Sequence, residues 1–98
     1  MQFSYIIRQV SDSKYELRFP DFIGAREIFL SEVQAHQEAM NIFLEAVQAR
    51  FENKQRVPDP SAVPESNGVI CVPGTFQELI IQHNLSMEKL SEIQDVNE

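Results

Sequence analysis

The sequence predicts an α/β (α+β) fold: a three-stranded antiparallel sheet and a returning fourth strand, covered by one long helix and followed by short C-terminal helices. Three patterns lead to this prediction. Residues 3–19 alternate apolar and polar side chains around a polar turn, residues 33–51 repeat apolar side chains at helical spacing, and residues 69–72 are a short β-branched run. Residues 1–73 then form the main domain, and residues 74–98 form a helical C-terminal segment.

The composition is that of one acidic domain without cross-links. The chain has 98 residues, of which 43% are hydrophobic and seven are phenylalanine, enough for one compact core. Its net charge is -7 and we expect no cluster of Lys or Arg, which predicts poor affinity for nucleic acid and favours a basic partner; the alternative is that the acids serve solubility alone. With a single cysteine, and without a leader-like or membrane-length apolar run, a cytoplasmic protein that does not enter a membrane is expected.

The first two strands are predicted to form a hairpin. Ser11, Asp12 and Ser13 supply short polar side chains that favour a tight turn. With residue 12 at the apex, apolar side chains face each other on the buried side and opposite charges meet outside. The predicted pairs are Tyr5 with Phe19, Ile7 with Leu17, Gln9 with Tyr15, and Arg8 with Glu16.

A third strand and a capped helix follow. Pro20 ends the ladder because it has no N–H to donate, and Gly24 permits a backbone turn that other residues disfavour. Residues 25–29 are long enough for an edge strand, in which Ile28 and Phe29 are expected to be buried; if exposed, the pair would be a candidate contact patch. Ser31, three residues before Gln34, has the form of a capping box.

The long helix is expected to cover the sheet with one apolar stripe. The stripe consists of Val33, Met40, Phe43, Leu44, Val47 and Phe51. His36 falls beside it, and a packed or hydrogen-bonded role is the stronger interpretation than catalysis, because no partner group accompanies it.

Residues 54–68 contain three prolines among polar residues and are predicted to be an extended linker. The run that follows, at residues 69–72, is expected to be a short buried strand in which Cys71 is a small core residue rather than a nucleophile. After Thr75, a short helix is predicted to place Phe76, Leu79, Ile80 and His83 on one face and to end at Asn84. A further short helix starting at Ser86 would carry Leu90 and Ile93.

The order of these elements resembles the HicB antitoxin family over residues 1 to about 73. The residues that carry the resemblance are Phe19-Pro20-Asp21-Phe22, Gly24, the helix start at residues 31–35, and Val57-Pro58-Asp59-Pro60-Ser61. The resemblance implies a partial RNase H-like fold. It also implies an antitoxin that neutralises HicA, a small basic toxin that cleaves messenger RNA with a histidine, by covering its active site.

Many members of this family also carry a C-terminal helix-turn-helix or ribbon-helix-helix domain that binds operator DNA. Residues 74–98 resemble only its first part, so we expect an incomplete helix-turn-helix or a dimerisation arm, within a homo-oligomer. The alternative function is a DNA-binding transcriptional regulator acting through these helices. The charge of this segment argues against DNA binding, because Lys89 is the one basic residue between Pro73 and Glu98. Domains that bind duplex DNA normally place several Lys or Arg side chains at the phosphates.

An enzyme is not expected. An RNase H-like fold invites a search for clustered carboxylates that hold metal ions. Neither the first strand nor residues 69–72 contain an acid, so Glu32, Glu38 and Glu45 on the helix would have no metal-sharing partner there. The sequence therefore predicts no catalytic residue, no metal and no cofactor.

The predicted partner-binding residues lie where the hairpin ends. Asp21, Phe22, Arg26 and Glu27 occupy the loop and edge strand after the ladder, where polar groups could stand beside an exposed aromatic. In the alternative interpretation, Phe22 belongs to the core and Asp21 caps a turn.

Overall fold

The computed structural model describes residues 1–96, with side chains described as far as Lys89. The elements follow the chain as β1 (Gln2–Ser11), β2 (Lys14–Arg18), β3 (Arg26–Phe29), α1 (Glu32–Glu52), β4 (Gly68–Cys71) and α2 (Gly74–Val96). The strands form one antiparallel sheet in the order β3-β2-β1-β4, which confirms the predicted α+β class. Neither helix, within the part of the chain that is described, combines the length and apolarity of a membrane span.

The hairpin has the predicted register. Ile7 pairs with Leu17 and Arg8 pairs with Glu16, and a bulge between Gln9 and Ser11 lets the chain turn. On the buried side, the rings of Tyr5 and Phe19 lie 5.6 Å apart.

The stripe through which the helix α1 packs on the sheet overlaps the predicted one: Phe43 and Val47 are buried, and Met40 and Phe51 are partly buried against the core. The buried residues of α1 are Ala35, Ala39, Ile42, Phe43 and Val47. Val33 is 66% exposed, and Leu44 is also exposed. The small side chains of Ala35 and Ala39 let the helix backbone approach the strands. Phe43 fills the space among the aromatic side chains of the sheet, with its ring centroid 5.0 Å from that of Phe3.

Both local predictions at the start of α1 are confirmed. The Ser31 hydroxyl accepts a hydrogen bond from the Gln34 N–H at 3.1 Å, which caps the helix. The Tyr5 hydroxyl lies 2.8 Å from His36 Nδ1, so His36 is a hydrogen-bonded residue at the helix edge. Burial raises the pKa of the Tyr5 hydroxyl, which therefore stays protonated and can donate to the imidazole.

The strand β4 differs from the prediction because it is an edge strand with one covered face. Ile70 is buried, whereas Val69 and Cys71 point away from α1 and are exposed. The expectation that Cys71 is a core residue is therefore wrong. On the covered side, the ring of Tyr5 lies over Gly68, where an added Cβ would come within 2.0 Å of a ring carbon.

Replacing Gly68 by alanine is expected to destabilise the fold by roughly 1–3 kcal/mol, because the Tyr5 ring must move out of its packed position. Urea unfolding followed by circular dichroism measures the change. Gly74→Ala is the matched control, since a Cβ there meets nothing within 4 Å. Equal stability of the two variants would contradict the close packing of Tyr5 on Gly68.

The C-terminal segment forms one continuous helix over residues 74–96, not two short helices. Asn84 was expected to end a helix, but its side-chain amide binds both backbone groups of Val57, at 2.8 and 3.0 Å. Ser86 donates to Gln82 O within the same helix instead of capping a new one. The predicted helix-turn-helix opening is therefore absent from residues 74–96, and the side chains of Leu90 and Ile93 lie outside the described residues.

Candidate partner-binding site

A cleft of about 520 Å³ lies between the loop that follows β2, the edge strand β3 and one flank of α1. The loop contributes residues 22–25 and the strand contributes Arg26 and Glu27, while α1 contributes residues between Ile42 and Arg50. The cleft is open because β3 has β2 as its one neighbour in the sheet and because Ala46 and Ala49 leave the helix flank shallow.

The loop from Phe19 to Arg26 is a fixed turn. Phe19 N–H donates to Ala25 O at 3.0 Å, and Ala25 N–H donates back to Phe22 O at 3.1 Å. Gly24 has a φ of 89°, a conformation that side chains disfavour, so the glycine allows the chain to reverse here. The turn leaves Ile23 at its tip, 95% exposed.

Phe22 is a core residue. It is 2% exposed, and its ring lies 5.4 Å from Phe3 and 5.8 Å from Phe43. The guanidinium of Arg50 covers the ring at 5.9 Å. The expectation of an exposed aromatic at this position is wrong, and the alternative, in which Phe22 packs inside, is the one observed.

Asp21 joins two distant segments of the chain. Its carboxylate accepts hydrogen bonds from the backbone N–H of Ser61, at 3.1 Å, and from the Ser61 hydroxyl. The two segments that carried the family resemblance, around Asp21 and Ser61, therefore meet in space. Asp21 holds the loop that forms one wall of the cleft rather than capping a turn within it.

Arg26 and Glu27 point to opposite sides of the sheet. Arg26 reaches Glu16 Oε2 at 3.7 Å on the face turned away from α1. Glu27, opposite Leu17, lies on the helix side of the edge strand and is exposed beside the cleft. Phe22, Glu27 and the strand residue Arg26 line the cleft, with the Arg26 guanidinium turned to the other face, and Asp21 supports the cleft from behind.

Acids line the solvent side of α1. Glu38, Glu45 and Glu52 are spaced by seven residues and so fall on one line along the helix, with Glu45 at the cleft. The cleft also contains two bases: Arg26 pairs with Glu16, whereas Arg50 donates to the neutral Arg56 carbonyl at 3.3 Å and keeps its charge. The carboxylates of Glu27 and Glu45 are exposed at the cleft, where a basic partner could meet them.

Sequence reasoning missed Ile23 and Glu45 as residues of this site. Ile23 gives no periodic signal, because it stands in a turn, and its exposure follows from Phe22 pointing inward. Glu45 lies on a helix face that only the packing of α1 identifies. Among the residues with described positions, no group of three His, Cys, Asp or Glu side chains could hold a metal ion.

The fold and the cleft define a small α+β domain whose accessible features are an edge strand, a helix flank and an exposed apolar turn. Residues 4–77 match the family described as the HicB-like antitoxin of bacterial toxin–antitoxin systems, and the chain belongs to this family. The match runs from β1 into the first turn of α2 and includes both segments that meet at Asp21. None of the curated proteins matches the sequence. The family assigns the chain an antitoxin role with a toxin as its partner.

Proposed function

We propose that this antitoxin binds a small, basic, HicA-like toxin that cleaves messenger RNA, and blocks the toxin by covering its active site. The observation that carries the proposal is the family match over residues 4–77. The net charge of -7, with exposed carboxylates of Glu27 and Glu45 at the cleft, adds a physical reason, because negative charge attracts a basic protein and raises its rate of association. Inhibition of this kind requires no catalysis by the antitoxin. It requires a complex that dissociates slowly enough to keep RNA out of the toxin's active site.

The cleft and its edge strand form the proposed docking surface. The outer edge of β3 is not paired with another strand of the sheet, so its free backbone groups can hydrogen-bond an extended segment of a partner. Ile23 stands at the rim of the same cleft and supplies the apolar contact that the centre of an interface requires. Of the predicted partner-binding residues, Glu27 is proposed as a contact through its side chain and Arg26 through the backbone of the edge strand, and Asp21 and Phe22 are proposed as the residues that hold the contact surface in shape.

The experiment that tests this function is co-expression of the chain with the protein encoded beside its gene, which we expect to be small and basic. The expected result is a stoichiometric complex on affinity purification, and loss of RNA cleavage when the purified chain is added to the purified toxin. The control is the same neighbour protein without the chain, which should cleave RNA and arrest growth. A neighbour that is not toxic, or that cleaves RNA equally well in the presence of the chain, would refute the proposal.

A further inference from the structure

The edge strand β3 directs only some of its backbone groups away from the sheet. Phe19 N–H donates to Ala25 O at 3.0 Å, in register with the pairs of β2 and β3. In an antiparallel ladder, the backbone groups of successive residues alternate between the two sides of a strand. Alternate residues of β3, counted from Ala25, therefore bond to β2, and the backbone groups of Arg26 and Ile28 point outward.

Of the two outward residues, Ile28 offers a complete pair of backbone groups. Arg26 N–H already donates to Gly24 O at 3.0 Å within the turn, so Arg26 offers its C=O alone. Beyond Ile28, Leu30 N–H faces the side-chain oxygen of Gln34 at 3.4 Å. A segment that adds to β3 is therefore short and centred on Ile28, which is 49% exposed.

The two faces of the sheet carry opposite charges at this edge. On the helix side, Glu27 is exposed and Glu45 of α1 lies in the same cleft. On the other side, Arg26 stands opposite Arg18 in the register, and the carboxylate beside them, Glu16, is mostly buried. Like charges that face each other across strands are destabilising, so a further base next to these two arginines is disfavoured. The edge therefore accepts basic side chains on the helix side only.

Pairing with β3 determines which face each side chain of an added segment uses. Side chains directly opposite each other in a ladder lie on the same face of the sheet. A side chain opposite Glu27 therefore enters the cleft, and one opposite Ile28 lies on the other face. A shift by one residue would move every side chain to the wrong face. The matching segment is acidic opposite Arg26, basic opposite Glu27, and apolar opposite Ile28 and Phe29.

The cleft has room for the side chains of such a segment. A fifth strand would stand about 4.8 Å from β3, beside the flank of α1 that Ala46 and Ala49 keep shallow. Ile42 supplies an apolar wall there. The guanidinium of Arg50, which keeps its charge, lies 5.9 Å from the ring centroid of Phe22, in the turn that precedes β3.

We propose that a short extended segment of the toxin adds to the outer edge of β3, centred on Ile28. Its basic side chains enter the cleft, and its acidic and apolar side chains lie on the opposite face of the sheet. This docking rests on the proposed function and specifies which kind of toxin segment binds and in which register. A segment with bases on both faces is rejected by Arg26 and Arg18, so the arrangement of charge provides specificity beyond general attraction.

Ile28→Pro tests the backbone contact. Proline removes the N–H that points outward and leaves the bonds of Glu27 and Phe29 to β2 in place, so an edge strand tolerates it. Ile28→Ala is the matched control, because it shortens the side chain and keeps the N–H. Titration with the purified toxin, after circular dichroism has shown that each variant is folded, measures the affinity. Ile28→Pro is expected to bind at least about tenfold more weakly than Ile28→Ala.

Amide hydrogen exchange of the native chain tests the same contact without a substitution. In the free chain, Glu27 N–H is bonded to β2 and should exchange slowly, whereas Ile28 N–H points outward and should exchange fast. Addition of the purified toxin is expected to slow exchange at Ile28 at least about tenfold. This measurement decides the question even if Ile28→Pro does not fold.

Arg26→Glu separates the arrangement of charge from its sum. The variant makes the chain more acidic, so general attraction predicts tighter binding of a basic toxin. The proposed register predicts binding that is about tenfold weaker, because an acidic side chain of the toxin stands opposite position 26. The fold is retained, since the new carboxylate faces Arg18. Lys89→Glu makes the same change of charge on an exposed residue of α2 and should bind at least as tightly as the native chain.

The outcomes distinguish this docking from the proposed function. If the native chain binds the toxin, the docking is overturned by equal affinities of Ile28→Pro and Ile28→Ala, by unchanged exchange at Ile28 in the complex, or by Arg26→Glu binding as tightly as Lys89→Glu. The proposed function then still stands. A toxin that does not bind the native chain at all overturns the proposed function and the docking together.

Discussion

Replacing Phe22 by alanine is expected to destabilise the fold by about 3–5 kcal/mol, whereas Ile23→Ala should change stability by no more than about 0.5 kcal/mol. Phe22 is 2% exposed and packs against Phe3 and Phe43, so its truncation leaves a cavity among aromatic rings. Ile23, the next residue, is 95% exposed and loses almost no buried surface. Chemical denaturation of both variants measures the difference.

For toxin binding we expect the opposite ranking, in which truncation at Ile23 has a larger effect than a conservative change at Phe22. Ile23→Ala is expected to weaken the complex by about tenfold or more, because an interface depends on a few apolar anchors. Phe22→Leu, which keeps most of the buried volume, serves as the folded comparison and should bind the toxin normally. A toxin affinity that is unchanged in Ile23→Ala would remove the rim of the cleft from the interface, and a stable Phe22→Ala would contradict its place in the core.

The hairpin of β1 and β2 was predictable from sequence, because apolar and polar side chains alternate along both strands. The register of the hairpin followed from the requirement that Tyr5 and Ile7 face Phe19 and Leu17, since a shift by one residue would turn every aromatic outward. The capped start of α1 at Ser31 was equally local, because one side chain and one backbone N–H decide it. Local patterns of this kind do not depend on what the rest of the chain does.

Predictions failed where a distant contact decides the outcome. Val33 and Leu44 were expected on the buried face of α1, but Ala35 and Ala39 pack closer to the sheet, and periodicity cannot rank small against large apolar residues. Asn84 has a side chain that often ends helices, but here Val57, 27 residues earlier, satisfies it. Sequence alone does not show which partner such a side chain finds.

In the candidate site, too, the location was predictable from local sequence, whereas the roles of the individual residues depend on distant contacts. The segment from Asp21 to Glu27 was identified from the proline and glycine that end the ladder, and it does line or support the cleft. The roles within it were not predictable, because whether Phe22 or Ile23 faces inward depends on Phe43 reaching the same space from α1. The expectation that no bases cluster is also wrong, because strand pairing brings Arg8, Lys14, Arg18 and Arg26 together from three strands on the sheet face turned away from α1.

Reversing charge at the cleft should separate attraction from contact. Glu45→Lys is expected to weaken toxin binding about tenfold, and Glu27→Lys combined with it about a hundredfold, mainly through slower association. Both side chains are exposed, so the fold should tolerate the change. Glu65→Lys makes the same change of charge on an exposed linker residue away from the cleft and should leave the affinity near that of the native chain.

The salt dependence of these variants decides whether the cleft or the overall charge attracts the toxin. Both explanations predict weaker binding at high salt, because exposed charges are screened beyond about 8–10 Å at physiological ionic strength. Only attraction at the cleft predicts that Glu45→Lys flattens the salt dependence of the association rate more than Glu65→Lys does, since the two variants carry the same net charge. Equal rates for both would show that the net charge of -7 attracts the toxin without regard to position, and the docking surface would then have to be sought away from Glu27 and Glu45.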